Sequence, residues 1–302
     1  MPPSPILITG GAGQLASSLE ALARLRGLAA IRVGRPAFDF DRPETIAEAF
    51  HAVRPALVIN AAAYTAVDAA ESDEAAAMRA NRTGPAALAA LCRDAGTALI
   101  HLSTDYVFDG RKGAPYVETD PTAPQGVYGA SKLEGERAVL ASGAQAIILR
   151  TSWVYSATGK NFVRTMLNAA ERARTQGSRL RVVADQQGCP TSADALAEAI
   201  LNIAETILAD GWRAEYGGLL HAAGTGATSW HGLALAAFQA ASRHGYKMPD
   251  VDAIATAEYP TLAPRPADSR LDCTRLERVF GQRLPPWRDS VGPVVDRLLG
   301  VS

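Results

Sequence analysis

Short apolar runs recur through the first half of the chain, at 5–9, 29–33, 56–60, 98–103 and 145–150, without the polar alternation of a half-exposed strand. Strands buried on both faces read this way, because neither face meets water. Between the runs stand segments with helical spacing of apolar positions: Gln14–Leu25, Pro43–Val53 and a long Ala-rich stretch over 68–95. Strand and helix therefore alternate, which predicts an α/β fold built on a Rossmann-type doubly wound parallel sheet. After Arg150 the rhythm loosens. Loops at 156–160, 185–192 and 259–268 interrupt shorter elements, so a smaller C-terminal lobe is expected. The expected division is a nucleotide-binding domain over 1–152 and a lobe formed mainly by 153–302, with a segment of about 178–210 returning to the first domain. Residues 109–126, rich in Pro and Gly, are too long for an ordinary connection, and long ordered loops commonly border active sites.

Length and composition narrow the classes. A chain of 302 residues has room for one large domain or for a domain with a small lobe. Lys plus Arg total 30 against 31 for Asp plus Glu, a net charge of -1 that excludes the broad basic field of a nucleic-acid binder. Cys92, Cys189 and Cys273 are widely spaced with no CxxC pair, which argues against a disulfide framework or a structural zinc site. The opening MPPSPILITGG has no basic flank, and its apolar run is far too short for a signal or a membrane span. No membrane partner is expected, and the expected compartment is the cytoplasm.

The first run leads directly into Thr9-Gly10-Gly11-Ala12-Gly13-Gln14-Leu15-Ala16. At a strand-to-helix turn, Gly10 permits a tight bend, Gly13 lets backbone approach a pyrophosphate, and a small Ala16 lets helix and strand pack closely. The alternative is a simple tight turn, but the position at the first βα junction favours a dinucleotide. An acidic residue at the end of the second strand would select NAD through the ribose hydroxyls. Here that stretch is Val33-Gly34-Arg35-Pro36, and Arg35 can bond a 2′-phosphate, the alternative being a solvated surface Arg. NADPH is therefore the expected cofactor, with NADH as the second choice. In Phe38-Asp39-Phe40, Asp39 comes too late for the ribose and is expected to border the adenine.

Tyr128-Gly129-Ala130-Ser131-Lys132 puts a phenol and an ammonium one helical turn apart on the same face. A nearby Lys⁺ favours the phenolate, so the pair is an acid/base device; seen alone, the same spacing is better explained by a solvated helix face. Position decides between them. The fourth run ends in Ser103-Thr104-Asp105-Tyr106, and the carboxyl ends of strands in a doubly wound sheet face the ligand crevice. The Thr104 hydroxyl there can stabilise charge on a carbonyl oxygen that receives hydride. Asn60-Ala61-Ala62-Ala63, small residues ending the third run, leave room for a dinucleotide across the sheet.

These motifs together resemble the extended short-chain dehydrogenase/reductase superfamily and, more narrowly, the family of dTDP-4-dehydrorhamnose reductases. The narrower resemblance rests on Gly13-Gln14-Leu15, Asn60-Ala-Ala-Ala-Tyr64-Thr65-Ala66-Val67-Asp68, Ser103-Thr-Asp-Tyr-Val-Phe-Asp-Gly110, Tyr128-Gly-x-Ser-Lys132, Arg150-Thr-Ser-Trp153-Val-Tyr155, Asn161-Phe162, Asp185-Gln-x-Gly-x-Pro-Thr191 and Arg265-Pro-x-x-Ser269-x-Leu-Asp272. It spans nearly the whole chain. It implies reduction of the 4-keto group of a dTDP-sugar with NAD(P)H, giving dTDP-L-rhamnose. It further implies that Tyr128 protonates the forming alkoxide, that Lys132 holds the nicotinamide ribose and tunes Tyr128, and that Thr104 completes the triad. Gln14, Leu15 and Phe40 join the cofactor set on this basis, and Thr65, Val67, Asp105, Tyr106, Trp153, Asn161, Phe162 and Gln187 the substrate set. Arg265 and Ser269 fall on the sugar-nucleotide side, although a loop salt bridge explains Arg265 as well.

The chain departs from the family at one place. Some members form magnesium-bridged dimers through carboxylates, one of them just past the Gly-rich turn, where this chain has Ala16-Ser17-Ser18 and no acid before Glu20. A hard cation needs several oxygen ligands, so no metal is expected, and the expected state is a monomer or weak homodimer. Two other functions stay open: a reductase or epimerase of another nucleotide sugar, and a non-catalytic NADP-binding regulatory subunit. The intact Thr104, Tyr128 and Lys132 argue against the second.

Overall fold

The computed structural model describes residues 4–301. Its strands are β1 Ile6–Thr9, β2 Ala30–Val33, β3 Leu57–Asn60, β4 Ala98–Thr104, β5 Ala146–Thr151, β6 Val154–Tyr155, β7 Leu180–Val183, β8 Gln187–Gly188, β9 Thr191–Ser192, β10 Gly218–His221, β11 Thr228–Ser229 and β12 Val251–Ile254. Six of them form one parallel sheet in the order β2-β1-β3-β4-β5-β10. The doubly wound α/β arrangement read from the sequence is what the chain adopts. β10 adds a sixth strand in the short stretch Gly-Leu-Leu-His, which carries no distinct apolar run.

Consecutive residues of these strands feed two different cores, which is why the runs show no polar alternation. Ile6, Ile8, Leu57, Ile59, Ile100 and Leu149 face one layer, packed by the helices Gln14–Leu25 and Ala193–Asp210. Leu7, Val58, Leu99 and Ile148 face the other, packed by Ile46 and Phe50 of Pro43–Val53, by Leu88 and Cys92 of Gly84–Ala95, and by Val139 of Val127–Ala141. The chain steps from β1 outward to β2 and then crosses to β3 on the other side of β1. At such a reversal the flanking loops diverge, leaving a crevice outside the carboxyl ends of β1 and β3.

The stretch 68–95 is not one helix. It is divided into Val67–Ala70, Glu74–Met78, a π-helical turn Arg79–Thr83 and Gly84–Ala95. Asp73 begins the second piece by accepting the Ala76 N–H, a local bond that competes with continuing the helix. The helix runs on through the π turn, and at Gly84 a Cβ would lie 2.0 Å from the Phe40 ring, so glycine admits that ring against the helix.

The remaining short strands pair outside the main sheet: β6 with β9, β7 with β12 and β8 with β11. The helices Phe162–Gln176, Trp230–Ser242 and Trp287–Leu299 enclose a separate core of Tyr155, Val163, Leu233, Trp287 and Val291. Among the described residues no helix is long and apolar enough to cross a membrane.

Candidate active site

The Gly-rich turn closes on the end of β2. The N–H groups of Gly10 and Gly11 both donate to the Val33 carbonyl. Gly10 has φ +122°, and a Cβ there would press on the Ala61 carbonyl at 3.1 Å. Such a conformation is open only to glycine, and it brings the ends of β1 and β3 together at the crevice. The helix Gln14–Leu25 opens immediately after Gly13, so its first N–H groups face the same crevice. Leu15 is half-buried against the core. The Gln14 amide is engaged with the lobe, accepting from the Ser156 hydroxyl at 3.0 Å and donating to the Lys160 carbonyl at 3.5 Å. Arg32, which sequence reasoning passes over, supports the turn from below by donating to the Gly11 carbonyl.

Arg35 stands two residues past β2, 67% exposed, with its guanidinium shared between Asp39 (3.0 Å) and Asp41 (2.9 Å). Phe40 is buried against Gly84. Ala61, Ala62 and Ala63 follow β3, and the Ala62 N–H is fixed by the Thr9 hydroxyl, which itself donates to Asn60.

At the end of β4 the acid/base groups meet. Thr104 is buried; its hydroxyl donates to Asp105 at 3.1 Å and accepts from the Tyr106 N–H at 3.2 Å. The Tyr128 side chain is half-buried, with its ring edge-on to Tyr106 at 5.7 Å between centroids. Burial pushes the Tyr128 phenol up to about 12; the adjacent Thr104 hydroxyl pulls it down and the Asp105 charge adds to the rise. Lys132 is 2% exposed and donates to the Leu102 carbonyl at 2.6 Å. Burial pushes the Lys132 ammonium down to about 8, against the favourable charge of Glu136. Asp105 also accepts from Ser152 at 2.9 Å, and burial raises its carboxyl to about 6 in spite of its hydroxyl partners. A phenol, an ammonium and a hydroxyl at one strand end can polarise a carbonyl and deliver a proton to it.

The substrate-side residues fall into two groups. Tyr106, Val67 and Asp105 adjoin this strand end, and the loop after Tyr259 closes over it: Arg265 donates to Asp68 at 2.8 Å and lies over the Tyr106 ring. Thr65 is exposed on the same connection. Trp153 follows Ser152 and packs on Gly188, with Gln187 beside it; the Gln187 carbonyl accepts the Ser269 N–H. The Asn161 side chain caps the helix Phe162–Gln176 (Arg164 N–H, 3.1 Å) and donates to the Ser156 carbonyl (2.8 Å). The Phe162 ring packs against Trp230, centroids 4.7 Å apart.

Besides that of Arg32, the roles of four residues escape a reading of the sequence alone: Asn81, Trp230, Glu136 and Arg150. Asn81, fully buried in the π-helical turn, accepts the Tyr64 N–H at 2.8 Å and donates to the Tyr64 carbonyl at 3.0 Å and to Ser131 at 2.9 Å. It ties the connection after β3 to the Tyr128 helix. Its one signal is a lone Asn in an Ala-rich stretch. Trp230 backs Trp153, and Glu136 pairs with Arg150 beneath Lys132. Among the described residues no group of three or more His, Cys, Asp or Glu is arranged to hold a metal ion.

Comparison with known proteins agrees with this geometry. Residues 4–299 match the family model described as RmlD substrate binding domain. A dTDP-4-dehydrorhamnose reductase of Sinorhizobium fredii is 46% identical over 294 residues, 97% of each chain. The crystal structure of a dTDP-4-dehydrorhamnose reductase from Clostridium acetobutylicum superposes with a TM-score of 0.87 at 34% identity, covering 98% of this chain and 99% of the other. The Bacillus anthracis dTDP-4-dehydrorhamnose reductase, solved in complex with NADP, gives a TM-score of 0.86 at 30% identity, covering 96% and 98%. With the match running almost from end to end, this chain belongs to the RmlD substrate binding domain family, among the dTDP-4-dehydrorhamnose reductases.

Proposed function

We propose that this protein is an NADPH-dependent reductase that converts dTDP-4-dehydro-L-rhamnose to dTDP-L-rhamnose. The observation that carries the reading is the convergence of Thr104, Tyr128 and Lys132 at the carboxyl end of β4, beside the crevice at the β1/β3 reversal. The crevice suits a dinucleotide: the Gly10 backbone leaves no side chain in it, and a helix begins at its rim. In this reading Gly10, Gly13 and the helix start receive the diphosphate, Arg35 the 2′-phosphate, Asp39 and Phe40 border the adenine, and Ala61, Ala62 and Ala63 form the floor. NADPH bound there supplies the hydride. The residues 1–152 then form the cofactor half and 153–302 mainly the sugar-nucleotide lobe; of the expected returning segment of about 178–210, the helix Ala193–Asp210 packs on the main sheet while β7 pairs with β12, and β10 joins the sheet as well.

Tyr128 donates its proton to the C4 oxygen as charge develops there, and a phenol held near 12 keeps that proton until the oxygen becomes basic. Thr104 gives the same oxygen a second hydrogen bond. Lys132 holds the nicotinamide ribose hydroxyls and, while charged, favours the phenolate left by proton transfer. Asp105, Tyr106 and Trp153 border the sugar, and Arg265 offers a cation on the sugar-nucleotide side. Three free cysteines among the described residues suit a reducing compartment, and with it a cytoplasmic enzyme.

Turnover with NADPH deuterated at the nicotinamide C4 tests the chemistry. The label is expected at C4 of the product sugar; label elsewhere, or an unlabelled epimer, would overturn the assignment.

A further inference from the structure

The helix Val127–Ala141 places Tyr128, Lys132 and Glu136 at successive four-residue steps along one face. The first two serve the proton transfer; the third has no part in it so far. Glu136 is 2% exposed and accepts from Arg150 twice, from Nε at 2.8 Å and from Nη2 at 2.6 Å, with the Ser103 hydroxyl as a third donor. Arg150 is 1% exposed, and its guanidinium lies over the Phe108 ring at 5.0 Å, which is itself stacked on Tyr116. A buried ion pair adds little net stability over well-packed apolar side chains, so holding the fold is a weak reason for this one.

Its connections supply a better reason. Ser103 directly precedes Thr104 on β4, and Arg150 on β5 comes two residues before Ser152, whose hydroxyl holds Asp105. One carboxylate therefore joins the helix bearing the phenol to β4, which carries Thr104, and to β5, which leads to the Ser152 that holds Asp105. The charged and titratable groups that act on Lys132 are Glu136 on its own helix and His101 on β4, with Arg150 of β5 held on the far side of the Glu136 carboxylate. His101 is kept neutral by burial and by the Lys132 charge itself. Asp105 is engaged with Thr104 and Ser152.

We propose that the Glu136–Arg150 pair is a positioning element of the reductase site: it sets the Tyr128 helix against Thr104 and Asp105, and keeps a carboxylate one turn from Lys132 so that the ammonium stays charged while buried. The proposal deepens the reductase reading and rests on it for the role of Tyr128. Glu136 acts through Lys132 and is a positioning residue.

The test is Glu136→Gln, measuring NADPH affinity and kcat/KM across pH beside the wild type. Burial lowers the Lys132 ammonium to about 8 with Glu136 opposing the fall, so without the carboxylate the alkaline limb of both profiles is expected to move down by ~1 pH unit, with kcat falling more than KM rises. A role confined to stability would leave the limb where it was. In Glu136→Gln/Arg150→Met no uncompensated charge is buried, so thermal stability is expected to return toward the wild type while the limb stays lowered. An unmoved limb in the single variant, or a restored limb in the double, overturns the proposal. If Glu136→Gln does not fold, Glu136→Asp takes its place: it draws the carboxylate back by one methylene, so a smaller downward shift of the limb with a lower kcat is expected, and an unmoved limb overturns the proposal. NADPH affinity needs no sugar nucleotide, so failure of the substrate assignment would show as absent turnover with the binding limb still readable.

Discussion

The indole of Trp153 lies flat on that of Trp230, ring centroids 3.5 Å apart and planes within 5°. Trp153 holds φ +48°, a strained backbone for a bulky side chain, and Trp230 is fixed in turn by its Nε1–H on Gln186 at 2.9 Å. On the other side, a Cβ at Gly188 would come within 2.4 Å of the Trp153 ring. Gly188→Ala is therefore expected to shift Trp153, costing about 1–3 kcal/mol of stability by overpacking. KM for the sugar nucleotide should rise roughly tenfold, equivalent to ~1.4 kcal/mol, with NADPH affinity unchanged. Steady-state kinetics decide it; an unaltered KM would detach Trp153 from the substrate.

Asp105 gives a pH signature in stability. Its carboxyl is raised from 3.8 to about 6 in the folded chain, chiefly by burial. The folded state thus binds the proton more tightly than the unfolded state, so the contribution is full below pH 3.8 and is lost as pH rises through about 6. Each tenfold difference in proton affinity between the two states is worth about 1.4 kcal/mol. Denaturant titrations at pH 4 and pH 7 should therefore show the wild type losing up to ~3 kcal/mol relative to Asp105→Asn over that interval. Parallel curves for the two proteins would mean that Asp105 titrates as an ordinary carboxyl.

Arg35 is shared between Asp39 and Asp41 and is largely exposed, so it can exchange a carboxylate for a phosphate with little desolvation. Arg35→Glu should weaken NADPH by at least about tenfold more than NADH, since the new carboxylate repels a 2′-phosphate and accepts from a 2′-hydroxyl. Binding titrations with both cofactors give the ratio. Equal losses would leave Arg35 with its acidic neighbours and no cofactor role.

The alternation of strand and helix is readable in the chain because each central strand is buried on both faces and each flanking helix carries one apolar stripe. The Gly-rich turn, Thr104, Tyr128 and Lys132 are readable because their chemistry is tied to local spacing at strand ends. The break in 68–95 is not, since alanine favours helix at every position and the interruption before Glu74 rests on one Asp73 cap. Nor are Asn81, Trp230 or the Glu136–Arg150 pair, whose partners come from distant segments. The two-residue strands of the lobe carry no period at all, and the cap that Asn161 gives the Arg164 N–H shows only in the fold.

Around the start of Gln14–Leu25, Ser18 donates to Asp194 at 2.7 Å and Arg297 pairs with the other oxygen of the same carboxylate. An acid already neutralised by Arg297 is a poor ligand for a hard cation. Activity and oligomeric state are accordingly expected to be indifferent to EDTA and to excess magnesium in sedimentation runs. A reversible monomer-to-dimer shift that follows magnesium would contradict this and locate a carboxylate site between two copies.

NADPH oxidation by the wild type and by Tyr128→Phe, with dTDP-4-dehydro-L-rhamnose beside UDP- and GDP-linked 4-keto sugars, addresses the assignment most directly. The expected result is turnover with the dTDP-sugar well above the others in the wild type. In Tyr128→Phe the rate should fall by roughly 10² to 10⁴ with NADPH affinity kept, because the ring remains and the transferable proton is gone. Equal or better turnover of another nucleotide sugar, or near-normal kcat in Tyr128→Phe, would contradict the account.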